Sequence, residues 1–224
     1  MLPAADGRYL AQLLYQRRLM ERVRELPGDV VECGVGYGHT LLGWCALVEE
    51  EGDRRRIWGF DSFEGFPEPT AEDESPRAPK RGEWNVANVR TIHQLLVSAG
   101  FAPRWIESHV TLITGFFDRS LAHYKGNQIA LLHVDVDLYQ SYKTVLDALY
   151  SRVVPGGVIA FDEYLNTEDH YRFPGAAQAI DEFLDRSRET IQRCEITGKY
   201  YLVKQRPVML RAASGFRSGE WASI

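Results

Sequence analysis

Four carboxylates sit in two short segments of the chain: Asp135 and Asp137 in HVDVDLY (133–139), and Asp162 and Glu163 in FDEY (161–164). Each segment follows an apolar run, Ile129-Ala130-Leu131-Leu132-His133-Val134 in one case and Val158-Ile159-Ala160-Phe161 in the other. Such runs suit strands buried on both faces. A doubly wound sheet could set the two strand ends side by side. The acids would then converge, and like charges that close repel unless a cation neutralises them. All-oxygen ligands suit a hard ion, with Mg²⁺ the first choice. For any one of the four, the alternative is a helix cap or a solvated loop acid.

A glycine-rich segment, Glu32-Cys33-Gly34-Val35-Gly36-Tyr37-Gly38-His39-Thr40, overlaps the end of a third apolar run, Val30–Cys33. Glycines there permit a tight turn and close approach of the backbone to a ligand, while the following helix presents N–H groups. No Gly-Lys-Ser/Thr follows, so this is not a P-loop. His39 takes the third glycine position of G-x-G-x-x-G, so it is a poor match to that fingerprint too. Asp61 ends the run Ile57-Trp58-Gly59-Phe60 and lies 23 residues beyond Gly38. That is close to the ~20 at which an acid binds a ribose diol, and a carboxylate accepts two hydroxyl hydrogen bonds at once. The alternatives are an ordinary glycine turn and a helix N-cap at Asp61 or Ser62.

These residues need elements to hold them. Apolar periodicity over 8–26 predicts one or two amphipathic helices, and further helices are expected over 40–50, 86–99, 140–153 and 175–188. Strands are expected at 30–33, 57–60, 110–113, 129–134 and 158–161, with terminal strands at 194–196 and 200–204. Pro155-Gly156-Gly157 reads as the stop of the helix before it. Residues 64–88 carry Pro67, Pro69, Pro76 and Pro79 among many charges, and read as a long loop or lid. Apolar strands alternating with helices make an α/β protein with a doubly wound, mostly parallel sheet. Ligands sit beyond the carboxyl ends of such strands, where the acids and glycines fall.

The 224 residues fit a single domain, with residues 1–26 as a helical cap and 205–224 as a tail of uncertain role. A composition 45% hydrophobic and 25% charged excludes a disordered chain. No apolar stretch is long enough for a membrane span, and the N-terminus does not read as a signal peptide. A net charge of −5 argues against a nucleic-acid partner. Three cysteines without metal spacing suggest a reducing compartment, the cytoplasm by default. His133 reads as a hydrogen-bonded core residue, and Cys33 and Cys45 as small apolar ones.

Six segments together carry a resemblance: VECGVGYGHT (31–40), GFDSFEGFP (59–67), TGFFDRSL (114–121), LLHVDVDLYQSY (131–142), VVPGGVIAFDEY (153–164) and PGAAQAIDEF (174–183). Over roughly residues 8–204 the chain resembles the macrocin O-methyltransferase (TylF/MycF/NovP-like) family of class I S-adenosylmethionine-dependent methyltransferases, which methylate sugar hydroxyls of natural products. The resemblance implies a Rossmann-like methyltransferase fold, S-adenosylmethionine and Mg²⁺ as cofactors, and a small-molecule acceptor. It implies that Glu32, Gly34 and Gly38 form the cofactor loop, to which His39 and Thr40 are joined. Asp61 would hold the ribose with Ser62 nearby, Gly115 and Phe116 would lie near the adenine, and Asp135 would serve both cofactor and metal. Asp135, Asp162 and Glu163 match the metal ligands, and Asp137 matches the proposed general base. Glu163 stands where the family more often has Asp; it is one methylene longer but still a hard oxygen ligand. A homodimer is a further expectation. The other readings are methylation of a catechol-like diol and a non-catalytic nucleotide-binding module. A dinucleotide-linked oxidoreductase is disfavoured by the E-x-G-x-G-x-G pattern of residues 32–38.

Overall fold

The computed structural model describes residues 7–165 and 169–205. The described chain runs α1 (Gly7–Val23), β1 (Asp29–Cys33), α2 (His39–Glu50), β2 (Ile57–Asp61), α3 (Val89–Ser98), α4 (Pro103–His109), β3 (Val110–Thr114), α5 (Phe117–Ser120), β4 (Ile129–Val134), α6 (Tyr139–Leu149), β5 (Val153–Phe161), α7 (Asp169–Arg172), α8 (Pro174–Ser187), β6 (Ile191–Arg193) and β7 (Tyr200–Val203). One seven-stranded sheet has the order β3-β2-β1-β4-β5-β7-β6. The first five strands are parallel, and β7 runs antiparallel to both β5 and β6. The strand order reverses between β1 and β4, which is where open α/β sheets bind ligands.

Both faces of the sheet are covered, which is why its central strands read as unbroken apolar runs. On one face Tyr15, Leu19 and Val23 of α1 join Trp44 and Val48 of α2 and Ile92 and Leu96 of α3. On the other, Tyr142, Val145 and Leu149 of α6 pack with Ala176, Ile180 and Phe183 of α8. Cys33, Cys45 and Cys194 are all buried and unbridged. No helix among the described residues is long and apolar enough to cross a membrane.

Several expectations need correction. Of the apolar residues expected to seat α1, Leu10, Leu13 and Leu14 are exposed, and the helix is held instead through Tyr15, Gln16, Leu19, Met20 and Val23. Gln16 contributes by donating from Nε2 to the Thr40 carbonyl at 2.8 Å. The helix expected over 140–153 ends at Leu149, and Tyr150–Arg152 form a 3-10 turn. Pro155-Gly156-Gly157 lies inside β5 as a register shift, since Ile129 pairs with Val153 but Leu131 with Val158. Gly156, at φ 87, donates to the Lys204 carbonyl, so the extra residues stay paired with the chain beyond β7. The strand expected at 194–196 falls at Ile191–Arg193, and Cys194 to Lys199 turn back through Cys194 N–H to Lys199 O and Gly198 N–H to Cys194 O, each 2.8 Å. Helix α4 was not expected, although Pro103 at its first turn is an N-terminal signal.

Residues 64–88 hold only one short 3-10 turn, Ala71–Asp73, among the described residues. The segment is nevertheless fastened down. Phe66 is in the core, with its N–H on Glu83 O at 2.8 Å and its carbonyl accepting from Gly82 at 3.0 Å. Asp73 is 1% exposed and accepts from Tyr139 N at 2.8 Å and Thr70 N at 2.9 Å. The Arg77 guanidinium lies over the rings of Phe66 and Phe173 and pairs with Glu83. Most of the tail expected at 205–224 lies outside the described residues.

Candidate active site

Hydrogen bonds continue the sheet one residue past its strands. Gly34 N–H donates to Phe60 O, Asp135 N–H to Cys33 O and Asp162 N–H to Val134 O, at 2.8–2.9 Å. This sets the glycine loop and both acid segments level along one edge. A β-carbon at Gly34 (φ 87) would run into the Asp135 carbonyl, so only glycine lets β1 and β4 leave the sheet this close together.

A cavity of about 920 Å³ opens at that edge. Its wall includes Gly34, His39, Thr40, Asp61, Ser62 and Phe116 of the expected cofactor residues, and all four acids, Asp135, Asp137, Asp162 and Glu163. Gly38 and Gly115 stand behind the wall; both have left-handed backbones, at φ 82 and φ 129, that shape the turns. Glu32 is wholly buried under the floor and does not reach the cavity. The β1–β4 register sets it beside His133, whose Nδ1 is 3.2 Å from Glu32 Oε1. Burial raises the Glu32 carboxyl above its usual range, and the His133 hydrogen bond draws it back down.

The Asp61 carboxylate is already engaged. Oδ2 accepts from Val35 N at 2.8 Å and Gly36 N at 2.9 Å, and Oδ1 from Phe63 N at 2.7 Å. It therefore clasps the glycine loop to the end of β2. An ionised carboxylate has about four acceptor sites, which leaves capacity toward a ligand in the cavity.

One oxygen from each of Asp135, Asp137 and Glu163 lies within 4.8 Å of the others, and His133, Asp135 and Asp162 form a second such group. Glu163 is 3% exposed and accepts from Tyr142 Oη at 2.7 Å and Asp137 N at 3.3 Å. Burial and the charges of Asp135, Asp137 and Asp162 push its carboxyl well up, and burial with Asp162 does the same to Asp135. Asp162 goes the other way. Burial opposes its charge, but Lys199 and His133 outweigh that and hold it below the usual carboxylate range. The Lys199 ammonium contacts Asp162 Oδ1, and His133 Nε2 is 3.7 Å from the same oxygen. Antiparallel pairing of Phe161 with Tyr200 carries one step on to set Lys199 across from Asp162.

Lys199 and Asp73 are the parts that sequence reasoning missed. Asp73 receives the first N–H of α6 in a place where Asp137 was one candidate cap. Asp137 itself has a left-handed backbone at φ 58, a conformation that Asp tolerates better than most residues. These hard, crowded oxygen donors fit a divalent cation.

The fold and this site define a class I methyltransferase-like architecture. NovP, an O-methyltransferase of solved structure, superposes with a TM-score of 0.73 at 24% identity, covering 88% of this chain and 81% of that one. CalS11, a calicheamicin methyltransferase, gives 0.74 at 26% identity over 87% and 79%. The macrocin-O-methyltransferase (TylF) family model matches residues 10–202, and the chain belongs to that family. A tetracenomycin rhamnosyl 4'-O-methyltransferase from Streptomyces olivaceus is 33% identical over 62% of this chain and 54% of its own length. Mycinamicin III 3''-O-methyltransferase from Micromonospora griseorubida is 28% identical over 72% and 62%. The chain thus spans little more than half the length of these relatives.

Proposed function

We propose that the chain transfers a methyl group from S-adenosylmethionine to a hydroxyl of a sugar carried by a small molecule, with Mg²⁺ at the acid patch. The observation that carries this is one cavity whose wall holds both the Asp61-clasped glycine loop and the four acids. The similarity to a rhamnosyl-tetracenomycin 4'-O-methyltransferase supports it.

S-adenosylmethionine supplies the methyl group as an electrophilic sulfonium substituent. Asp61 would receive the ribose hydroxyls, Gly34 would let the backbone come close, and Phe116 would lie near the adenine. Asp135, Asp162 and Glu163 are the proposed ligands of the ion, with Asp137 beside them in the same patch. These acids would hold a Mg²⁺ ion, whose chemistry would be to polarise an acceptor hydroxyl and ease loss of its proton. The Asp137 carboxylate takes the hydroxyl proton, a role worth roughly 10²–10⁴-fold in rate.

The test is a methyl-transfer screen against glycosylated small molecules with Mg²⁺ present. Activity should vanish with EDTA and return with Mg²⁺, and Asp137→Asn should lose kcat while keeping cofactor affinity. Full activity after exhaustive chelation refutes the metal. The ligand set is tested by Mn²⁺ paramagnetic resonance: Asp162→Asn should weaken Mn²⁺ binding more than Asp137→Asn does, and the reverse order makes Asp137 the third ligand.

A further inference from the structure

Trp84 stands apart from the other tryptophans described. Trp44 and Trp58 are buried, and Trp105 is tied through Nε1 to Asp53 at 2.7 Å. Trp84 is 47% exposed, lines the cavity, and has a left-handed backbone at φ 64. A bulky residue there is a genuine outlier, and such strain persists only where the surroundings impose it. Here they do. The Phe66–Glu83 and Gly82–Phe66 hydrogen bonds pin the chain immediately before Trp84, and Val86 N–H returns to Trp84 O at 2.9 Å. The indole is thus presented over the cavity mouth instead of being folded into the core.

It is not alone there. Tyr37 is 54% exposed, and its ring meets Trp84 edge-on with centroids 6.2 Å apart. His39 stacks on Tyr37 at 6.0 Å, and Tyr9 of α1 meets His39 at 5.0 Å. All four rings line the same cavity, and they come from three separate parts of the chain. Leaving so much aromatic surface in water is costly unless something apolar covers it.

We propose that Trp84, flanked by Tyr37, is the seat for a flat π-bearing group attached to the acceptor sugar, and so a specificity-determining residue. This rests on the sugar O-methyltransferase reading. The seat would take the aromatic aglycone of a glycoside or the base of a nucleoside diphosphate sugar, since each offers a planar face. Stacking of such a face is worth roughly five- to hundred-fold in affinity.

The experiment is calorimetric binding to protein saturated with S-adenosylhomocysteine, using methyl rhamnoside, p-nitrophenyl rhamnoside and thymidine diphosphate rhamnose. At least one planar-group conjugate should bind tenfold or more tighter than methyl rhamnoside, and which one does names the source. Trp84→Ala should bring that advantage to within about threefold. Trp84→Phe should retain most of it. Trp84→Gly should lose it while the melting temperature holds or rises, because glycine accepts the left-handed backbone. Equal binding of all three sugars overturns the seat and leaves the sugar reading standing. An advantage that survives Trp84→Ala also overturns the seat. Loss of S-adenosylhomocysteine affinity in Trp84→Ala assigns the indole to the cofactor and overturns it as well. No binding of any of the three by cofactor-loaded protein overturns the seat, and the methyl-transfer screen then decides the sugar reading on its own.

Discussion

Lys199→Met tests how the acid patch survives without an ion. Five acids, Glu32, Asp135, Asp137, Asp162 and Glu163, crowd around two cationic groups, Lys199 and His133. Lys199 and Asp162 are each 19% exposed in their side chains, so the pair is largely desolvated. Removing one partner of a buried pair costs about 3–5 kcal/mol, and the residual exposure puts this one near the lower end. At roughly 2–4 °C per kcal/mol for a chain of this size, the metal-free melting temperature should fall by roughly 6–12 °C. Adding Asp162→Asn removes the stranded charge, so the double variant should recover more than half of the loss. Saturating Mg²⁺ should raise the midpoint more in Lys199→Met than in the parent, because the ion replaces the missing charge. The assay is thermal unfolding followed by circular dichroism, in EDTA and then in Mg²⁺, over the four corners of the mutant cycle. A fall of under about 1 kcal/mol in Lys199→Met, or a double variant no better than the single one, would refute the argument.

Other outcomes follow from the same geometry. Asp61→Ala should weaken S-adenosylmethionine binding at least tenfold, and should also destabilise the protein, because the Val35, Gly36 and Phe63 N–H groups lose their acceptor; unchanged affinity by calorimetry in a folded variant removes Asp61 from the site. Asp73→Ala orphans the Tyr139 and Thr70 N–H groups and should cost about 2–4 kcal/mol in urea unfolding, with faster proteolysis within 64–88; unaltered stability would show that the segment is not pinned there. For His133, burial alone would lower the pKa, but the nearby Asp162 carboxylate and the Glu32 hydrogen bond lift it to about 10. That exceeds the ~6.5 of a free imidazole, so its contribution to stability is whole below about pH 6.5 and is lost as the pH rises toward 10. Its ring ¹⁵N shifts should still be those of imidazolium at pH 8, and neutral shifts there would contradict this arrangement.

What the sequence made legible was local in origin. The apolar runs at 30–33, 57–60 and 129–134 show as strands because a doubly covered parallel sheet needs apolar residues on both faces. The acids at 135, 137, 162 and 163 could be placed because ligands gather beyond strand ends. Long-range effects were hidden. Pro155-Gly156-Gly157 has the composition of a helix stop, yet pairing with the chain beyond β7 absorbs it into β5. Nothing in GKYYLV says that Lys199 will face Asp162, because that follows from the register of an antiparallel pair 37 residues apart. The burial of Glu32 was hidden for a related reason. A residue within the strand points to a face, and only the β1–β4 register shows that the face is the one occupied by His133.

The 64–88 segment and the acid patch are physically one unit, joined at the first turn of α6. Helix α6 begins at Tyr139, two residues after Asp137, and its N-cap residue is Leu138, which has no side chain able to accept. Asp73 fills that need from within the 64–88 segment, with Oδ1 on Tyr139 N at 2.8 Å. The cap therefore depends on the 64–88 segment being seated, while the Asp137 carboxylate remains in the patch with Asp135 and Glu163. Unseating Asp73 would deprive the helix of an acceptor beside the left-handed turn at Asp137, a place where backbone freedom displaces the side chain directly. A carboxylate acting as a base must lie within hydrogen-bond reach of its proton. A segment that lines the cavity and fixes the backbone next to that carboxylate thus does more than shape the wall, because it holds the proposed proton acceptor in register with the acids on β5.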